Sequence, residues 1–228
     1  MSRVAIVTGY SSGLGEALTH ELLRRGWSIV GVSRDSEPAD LHAANSQTLR
    51  AVHGGVQNQD TVEAAFKVAE ELGELRLVIN CAGVGVFGEV GGYNAQEIGD
   101  VVGSNLSGLI LFSDRASREL RSHGGHLVNI MSTAGKKLRT AESVYVAAKW
   151  GAKAYTRTLR EALKAEKAPI KVIEVYPPGM RTPFWSSALR APSDGLSFPL
   201  PDSIAFQIVD EIESERPVYC QEMVFERS

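Results

Sequence analysis

The stretch Val4-Ala5-Ile6-Val7-Thr8-Gly9-Tyr10-Ser11-Ser12-Gly13-Leu14-Gly15 decides how this chain folds. Val4 to Val7 is a short, continuous apolar run, as expected of a strand covered on both faces. Leu14, Leu18 and Leu22 follow at four-residue spacing and lay an apolar stripe along a helix, which Gly26 is placed to stop. Gly9, Gly13 and Gly15 occupy the turn between them. Glycine there permits a tight turn, lets backbone N–H groups approach an anion, and lets the helix pack close to the strand with its positive dipole end facing that anion.

The same alternation continues along the chain. Apolar runs recur at Ile29 to Val32, Leu75 to Ile79, Leu127 to Met131 and Val172 to Tyr176, with a weaker strand expected at Thr48 to His53 and a closing strand at Val218 to Val224. Longer helical patterns separate them. One starts at Asn94, with Glu97 as its capping-box partner, and runs through Ile98, Val101, Val102, Leu106 and Leu109. Another runs from about Val144 to Ala165. Repeated strand–helix–strand units predict a single α/β domain over residues 1–228, a doubly wound, mostly parallel sheet of the Rossmann type with helices on both faces. The Pro- and Ser-rich stretch 183–201 reads as a loop or lid.

Bulk properties narrow the function. With 228 residues, 43% of them hydrophobic, the chain can bury one sizeable core. A net charge of -3 leaves no basic excess for nucleic acid or anionic lipid. No apolar run approaches the length that spans a bilayer, and Ser2 to Val7 does not resemble a signal peptide. Two distant cysteines, Cys81 and Cys220, suit a reducing compartment, so a soluble cytoplasmic protein is expected. His123 and His126 flank two glycines without a supporting Cys or carboxylate cluster, and read as a solvated turn rather than a metal site.

The spacing Thr8-Gly9-Tyr10-Ser11-Ser12-Gly13-Leu14-Gly15 resembles the T-G-x-x-x-G-x-G turn of the short-chain dehydrogenase/reductase family. Further matches follow in order: Asn80-Cys81-Ala82-Gly83 is similar to the family's N-N-A-G segment, Asn105 falls in the helix that carries its catalytic asparagine, and Ser132 precedes Tyr145-Val146-Ala147-Ala148-Lys149. The resemblance covers nearly the whole chain. It implies a nicotinamide cofactor contacted by Gly9, Ser11, Ser12, Gly13, Leu14, Gly15, Asn80, Ala82 and Gly83, and a catalytic set of Asn105, Ser132, Tyr145 and Lys149. Tyr145 would be the general acid and base, and Ser132 would bond the reacting oxygen. Asn105 would hold a relay water, and Lys149 would also bind the nicotinamide ribose.

A hydride added to a carbonyl leaves an alkoxide that needs a proton donor tuned near the working pH. On a helix, Tyr145 and Lys149 share one face. An ammonium about 4 Å away at an effective dielectric near 20 is worth roughly 4 kcal/mol, which would draw the tyrosine toward neutrality.

The second strand ends Val32-Ser33-Arg34, with no carboxylate for a ribose 2′-hydroxyl and an arginine suited to a 2′-phosphate. Ser33 and Arg34 therefore favour NADP(H), while Asp35 beside Arg34 keeps NAD(H) open. Gly55 stands where the family often has an aspartate near the adenine. Tyr176-Pro177-Pro178-Gly179-Met180-Arg181-Thr182-Pro183 is similar to the family's P-G-x-x-x-T segment with an altered proline–glycine order. It implies cofactor contacts from Thr182 and the Met180 backbone.

Residues 84–92 and 183–200 would select a small or apolar carbonyl or alcohol substrate, with Phe184 and Trp185 either roofing it or packing the lid onto the core. The resemblance further implies a homodimer or homotetramer. The competing classes are a cofactor-sensing binding protein, which usually lacks the tyrosine, and a sugar-nucleotide epimerase, whose glycine spacing differs.

Overall fold

The computed structural model describes residues 2–34, 48–191, 195–214 and 216–227. Asp35, set against Arg34 in the sequence, lies outside them, as does the middle of the expected lid at 192–194.

Strand β1 (Arg3–Thr8) leads through the glycine turn into helix α1 (Gly13–Arg24), then β2 (Ser28–Ser33), β3 (Leu49–His53), α2 (Gln59–Leu72) and β4 (Glu74–Asn80). The second half runs α3 (Ala95–Val102), α4 (Leu109–Glu119), β5 (Gly125–Ile130), α5 (Ser143–Ala165), β6 (Ile170–Tyr176), the single turn α6 (Phe184–Ser187), α7 (Asp202–Ile212) and β7 (Glu222–Val224). The seven strands lie in the order β3-β2-β1-β4-β5-β6-β7, and every pairing is parallel. The chain winds outward from β1 to β3, returns to β4 beside β1, and winds outward again. That reversal is the switch point where open α/β sheets bind ligands.

Period-two alternation divides each strand between two cores. Ala5 and Val7 pack with Leu14, Leu18, Leu22, Ile204 and Ile208 of α1 and α7. Val4 and Ile6 pack with Val62 and Phe66 of α2, Phe112 of α4 and Leu163 of α5. Both faces of the sheet are covered, which is why its strands read as unbroken apolar runs.

Three expectations change. The closing strand is Glu222–Val224 alone, an edge strand paired to β6, and Val218 before it stays 71% exposed. The helix from Asn94 has the expected capping box but does not continue to Leu109 as one α-helix. A π-helical segment, Gly103–Gly108, interrupts it around Asn105. Gly108 is forced by space, because a Cβ there would stand 2.5 Å from the Val56 side chain. His126 is not in a solvated turn but inside β5, half-buried, and burial pulls its imidazole down to about 4.

Tyr10, in the glycine turn, is fully buried and its ring lies over Gly31 of β2. A Cβ on Gly31 would sit 2.5 Å from ring atoms that cannot swing aside. Gly31→Ala is therefore expected to destabilise the chain by about 1–3 kcal/mol through overpacking. Thermal unfolding should show a loss of roughly 2–4 °C per kcal/mol, and an unchanged Tm would refute the contact.

Candidate active site

The glycine turn is fixed by what cannot fit beside it. Gly9 has φ +70°, and a Cβ on it would lie 2.8 Å from Ala82 Cα, so the turn touches the loop after β4 directly. A Cβ on Gly15 would lie 2.0 Å from the Gly9 carbonyl oxygen, so α1 could not pack so closely with any other residue there. Buried Thr8 completes the junction: its hydroxyl accepts from the Cys81 and Ala82 N–H groups at 3.0 and 3.1 Å. Ser12 caps α1 in extended geometry without using its side chain, and the helix's positive end faces the turn.

An open cleft runs along this junction, lined by Gly9, Ser11 and Ser12, by Ser33 and Arg34, and by Ala82 and Gly83. Leu14 instead enters the core beneath. Thr182 approaches from the far side, since a Cβ on Gly13 would stand 3.0 Å from the Thr182 Cβ. The Met180 carbonyl accepts from the Trp185 indole N–H at 2.9 Å.

Asn80 is placed differently from its expected role. Its amide donates to Asn129 Oδ1 at 2.8 Å and Ser113 Oγ at 3.0 Å, and Asn129 donates to Thr156 Oγ1 at 2.8 Å. All four residues are buried, and this chain ties β4 and β5 to α4 and α5. Asn80 thus fixes the helix carrying Tyr145 instead of lining the cleft.

The four expected catalytic residues converge beyond Gly83. Ser132 caps a short 3₁₀ turn, accepting from the Ala134 N–H at 3.1 Å, and its side chain faces Tyr145. Lys149, one turn further along α5, is buried and donates to the Ile130 carbonyl at 3.0 Å. Asn105 is almost fully buried, and its amide is spent on the Val84 backbone, accepting from N–H and donating to C=O at 2.8 Å each.

The electrostatics contradict the expected tyrosine. Burial pushes Tyr145 up to about 12, with the Ser132 hydroxyl opposing it and the Glu142 carboxylate adding to it. Lys149 does not outweigh that burial: its ammonium points at Ile130 and lies 5.8 Å from the Tyr145 ring centre. The same burial pulls Lys149 down to about 8. Cys81 beside it opposes that shift only in part, and burial holds its own thiol up at about 12.

Beyond Tyr145 the wall is aromatic. Phe87 and Phe184 meet its ring at 5.7 and 6.1 Å between centres, and Trp185 joins both. Phe184 and Trp185 thus pack the start of the expected lid onto the core. Arg190 fastens the segment, donating to the Phe87 carbonyl at 2.5 Å and to both Glu97 oxygens at 2.9 and 3.2 Å.

The short chain dehydrogenase family model matches residues 3–192. The chain belongs to the short-chain dehydrogenase/reductase family. It is accordingly an oxidoreductase of the class that works with a nicotinamide cofactor. Its relatives include a farnesol dehydrogenase of Aedes aegypti, 34% identical over 191 residues, 79% of this chain and 78% of that one. Carbonyl reductase family member 4 of Danio rerio is 30% identical over 176 residues, 76% and 74% of the two chains. An alcohol dehydrogenase from the archaeon Thermococcus sibiricus, solved with 5-hydroxy-NADP, shares the fold with a TM-score of 0.87 at 24% identity, covering 100% of this chain and 99% of its own.

Sequence reasoning missed Gly54, Val56, Gln57, Asp100 and Ser104, which line the outer part of the cleft. The adjacent glycines after β3 and the four-residue spacing of Asp100 and Ser104 just before Asn105 were the available signals. Among the described residues no group of His, Cys, Asp and Glu could hold a metal, and no helix is long and apolar enough to cross a membrane.

Burying Lys149 has a cost that can be measured. Below pH 8 both native and unfolded states carry the ammonium, and the native state bears the full desolvation penalty. Between about pH 8 and 10.5 the unfolded chain holds the proton that the native chain has lost, so stability rises with pH in that window. Lys149→Met is expected to be more stable than the parent by about 1–3 kcal/mol at pH 7. That advantage should shrink towards pH 10.5 in denaturant titrations, and a variant less stable at pH 7 would refute it.

Proposed function

We propose that the chain reduces an apolar carbonyl compound to its alcohol with NADPH, and with NADH less well. The observation that carries this reading is the meeting of Ser132 and Tyr145 under an aromatic wall, with the buried Lys149 ammonium a turn away. The cradle in which no Cβ fits at Gly9 or Gly15 suits a pyrophosphate at a helix N-terminus. Gly9, Ser11, Ser12, Gly13 and Gly15 would hold it. Ser33 and Arg34 would hold the adenosine ribose and its 2′-phosphate, Ala82 and Gly83 the floor of the cleft, Lys149 the nicotinamide ribose, and Met180 and Thr182 the carboxamide. Related folds are known in complexes with 5-hydroxy-NADP and with NAD. When bound, the reduced dinucleotide supplies a hydride to the carbonyl carbon.

The chain's own residues manage the proton. Ser132 positions the carbonyl oxygen, and Tyr145 donates its phenolic proton to it. Held up at about 12, the phenol is fully protonated at neutral pH, which is the form reduction requires. Lys149, held near 8, is charged at neutral pH and stabilises the phenolate left behind. Asn105, fixed by its amide on Val84, holds the relay water. Phe87, Phe184 and Trp185 select apolar substrates, in keeping with the relative named farnesol dehydrogenase. The described parts of the Pro- and Ser-rich stretch, 183–191 and 195–201, serve as the lid. Exposed Ile98 and Trp150, on the helices next to Asn105 and Tyr145, supply the faces on which two or four copies pair.

Tyr145→Phe keeps the ring and removes the proton, so rate should fall about 10²- to 10⁴-fold with NADPH binding retained. An undiminished rate of carbonyl reduction in that variant would end the proposal. Arg34→Ala should weaken NADPH by about tenfold or more while sparing NADH, because a 2′-phosphate carries nearly two charges. Fluorescence titration of both cofactors distinguishes this from equal losses, which would leave Arg34 no part in selectivity.

A further inference from the structure

We propose that Gln57 reads the adenine base of the cofactor, its side-chain carbonyl accepting from the 6-amino group and its amide N–H₂ donating to a neighbouring ring nitrogen. This rests on the dinucleotide reading above. The cleft has three stations: the glycine turn, the end of β2 at Ser33 and Arg34, and the loop after β3 at Gly54, Val56 and Gln57. Because β1, β2 and β3 are also neighbours in space, a dinucleotide with its pyrophosphate at the first station and its ribose at the second delivers its base to the third.

The wall there has no side chain of its own at Gly54 or Gly55. Gln57 folds back to supply one: a Cβ on Gly55 would lie 2.8 Å from Gln57 Oε1 and 3.1 Å from Nε2. Its stem is braced on the other side, where a Cβ on Gly103 would lie 3.6 Å from Gln57 Cγ. No hydrogen bond among the described residues occupies the amide. An amide offers one acceptor and two donors side by side, the complement of adenine's amino group and adjacent nitrogen. Asp100 and Ser104 also line the cleft; Asp100 accepts from Gln96 Nε2 at 2.9 Å on one oxygen and keeps its second, so it is the side chain that the test must set against Gln57.

The test compares NADP⁺ with 1,N⁶-etheno-NADP⁺, in which the amino group has no hydrogen and the adjacent nitrogen is blocked, by calorimetric titration. The parent should bind NADP⁺ about tenfold more tightly than the etheno compound, the value of one well-made hydrogen bond. Gln57→Leu keeps the bulk and removes the polar groups, so NADP⁺ should weaken about tenfold while the etheno compound stays within about twofold. Equal losses for both ligands, no loss for either, or a loss that follows Asp100→Asn instead would overturn the role of Gln57. A parent chain that binds neither dinucleotide would overturn the functional reading itself.

Discussion

The direct contact between the glycine turn and the loop after β4 is the constraint on which the site depends. Gly9 meets Ala82 with no room for a Cβ, and the Thr8 hydroxyl gathers the Cys81 and Ala82 N–H groups. This closes the switch point between β1 and β4 from below, so the cleft above has a backbone floor and the dipole of α1 at one end. A side chain at Gly9 or Gly15 would part the strands or lift the helix. The positions of Ser33, Gly83 and Thr182 relative to one another all follow from that closeness.

A second layer fixes the chemistry to the same frame. The chain Asn80–Asn129–Thr156 crosses from sheet to α5, and the Lys149 ammonium reaches back to Ile130 at the end of β5. Asn105 does the same for the π-helical segment by taking up both backbone groups of Val84. These are buried polar groups with their partners in place, which hold one arrangement and penalise others. The helix carrying Tyr145 is thus located by hydrogen bonds to strand ends, as a group that must meet a substrate oxygen requires.

Much of this was legible in the sequence, because the signals are local. The strand–glycine–helix start, the apolar runs and the capping box at Asn94 each depend on residues within a few positions of one another. What was not legible depends on space between distant residues. Tyr10 reads as an arbitrary turn residue until its ring is seen over Gly31, and Gly108 as a weak helix residue until Val56 is seen against it. Asn80 sits in a cofactor-type motif, yet its partners come from β5 and α4, which no spacing along the chain reveals. The edge strand β7 was overextended because apolar residues such as Val218 look the same whether paired or exposed.

The tyrosine shows the same limit most sharply. A four-residue spacing on a helix puts two residues on one face, but it does not say where the longer side chain points. Lys149 points at a strand-end carbonyl, so its charge acts on Tyr145 from farther away than adjacency suggests, while the low-dielectric surroundings act on both groups at full strength. Burial favours the neutral form of each, raising the phenol and lowering the ammonium. A proton leaving Tyr145 converts an isolated buried cation into a cation facing an anion. Each charge then offsets part of the desolvation penalty of the other, by an amount that the 5.8 Å between the ammonium and the ring centre limits.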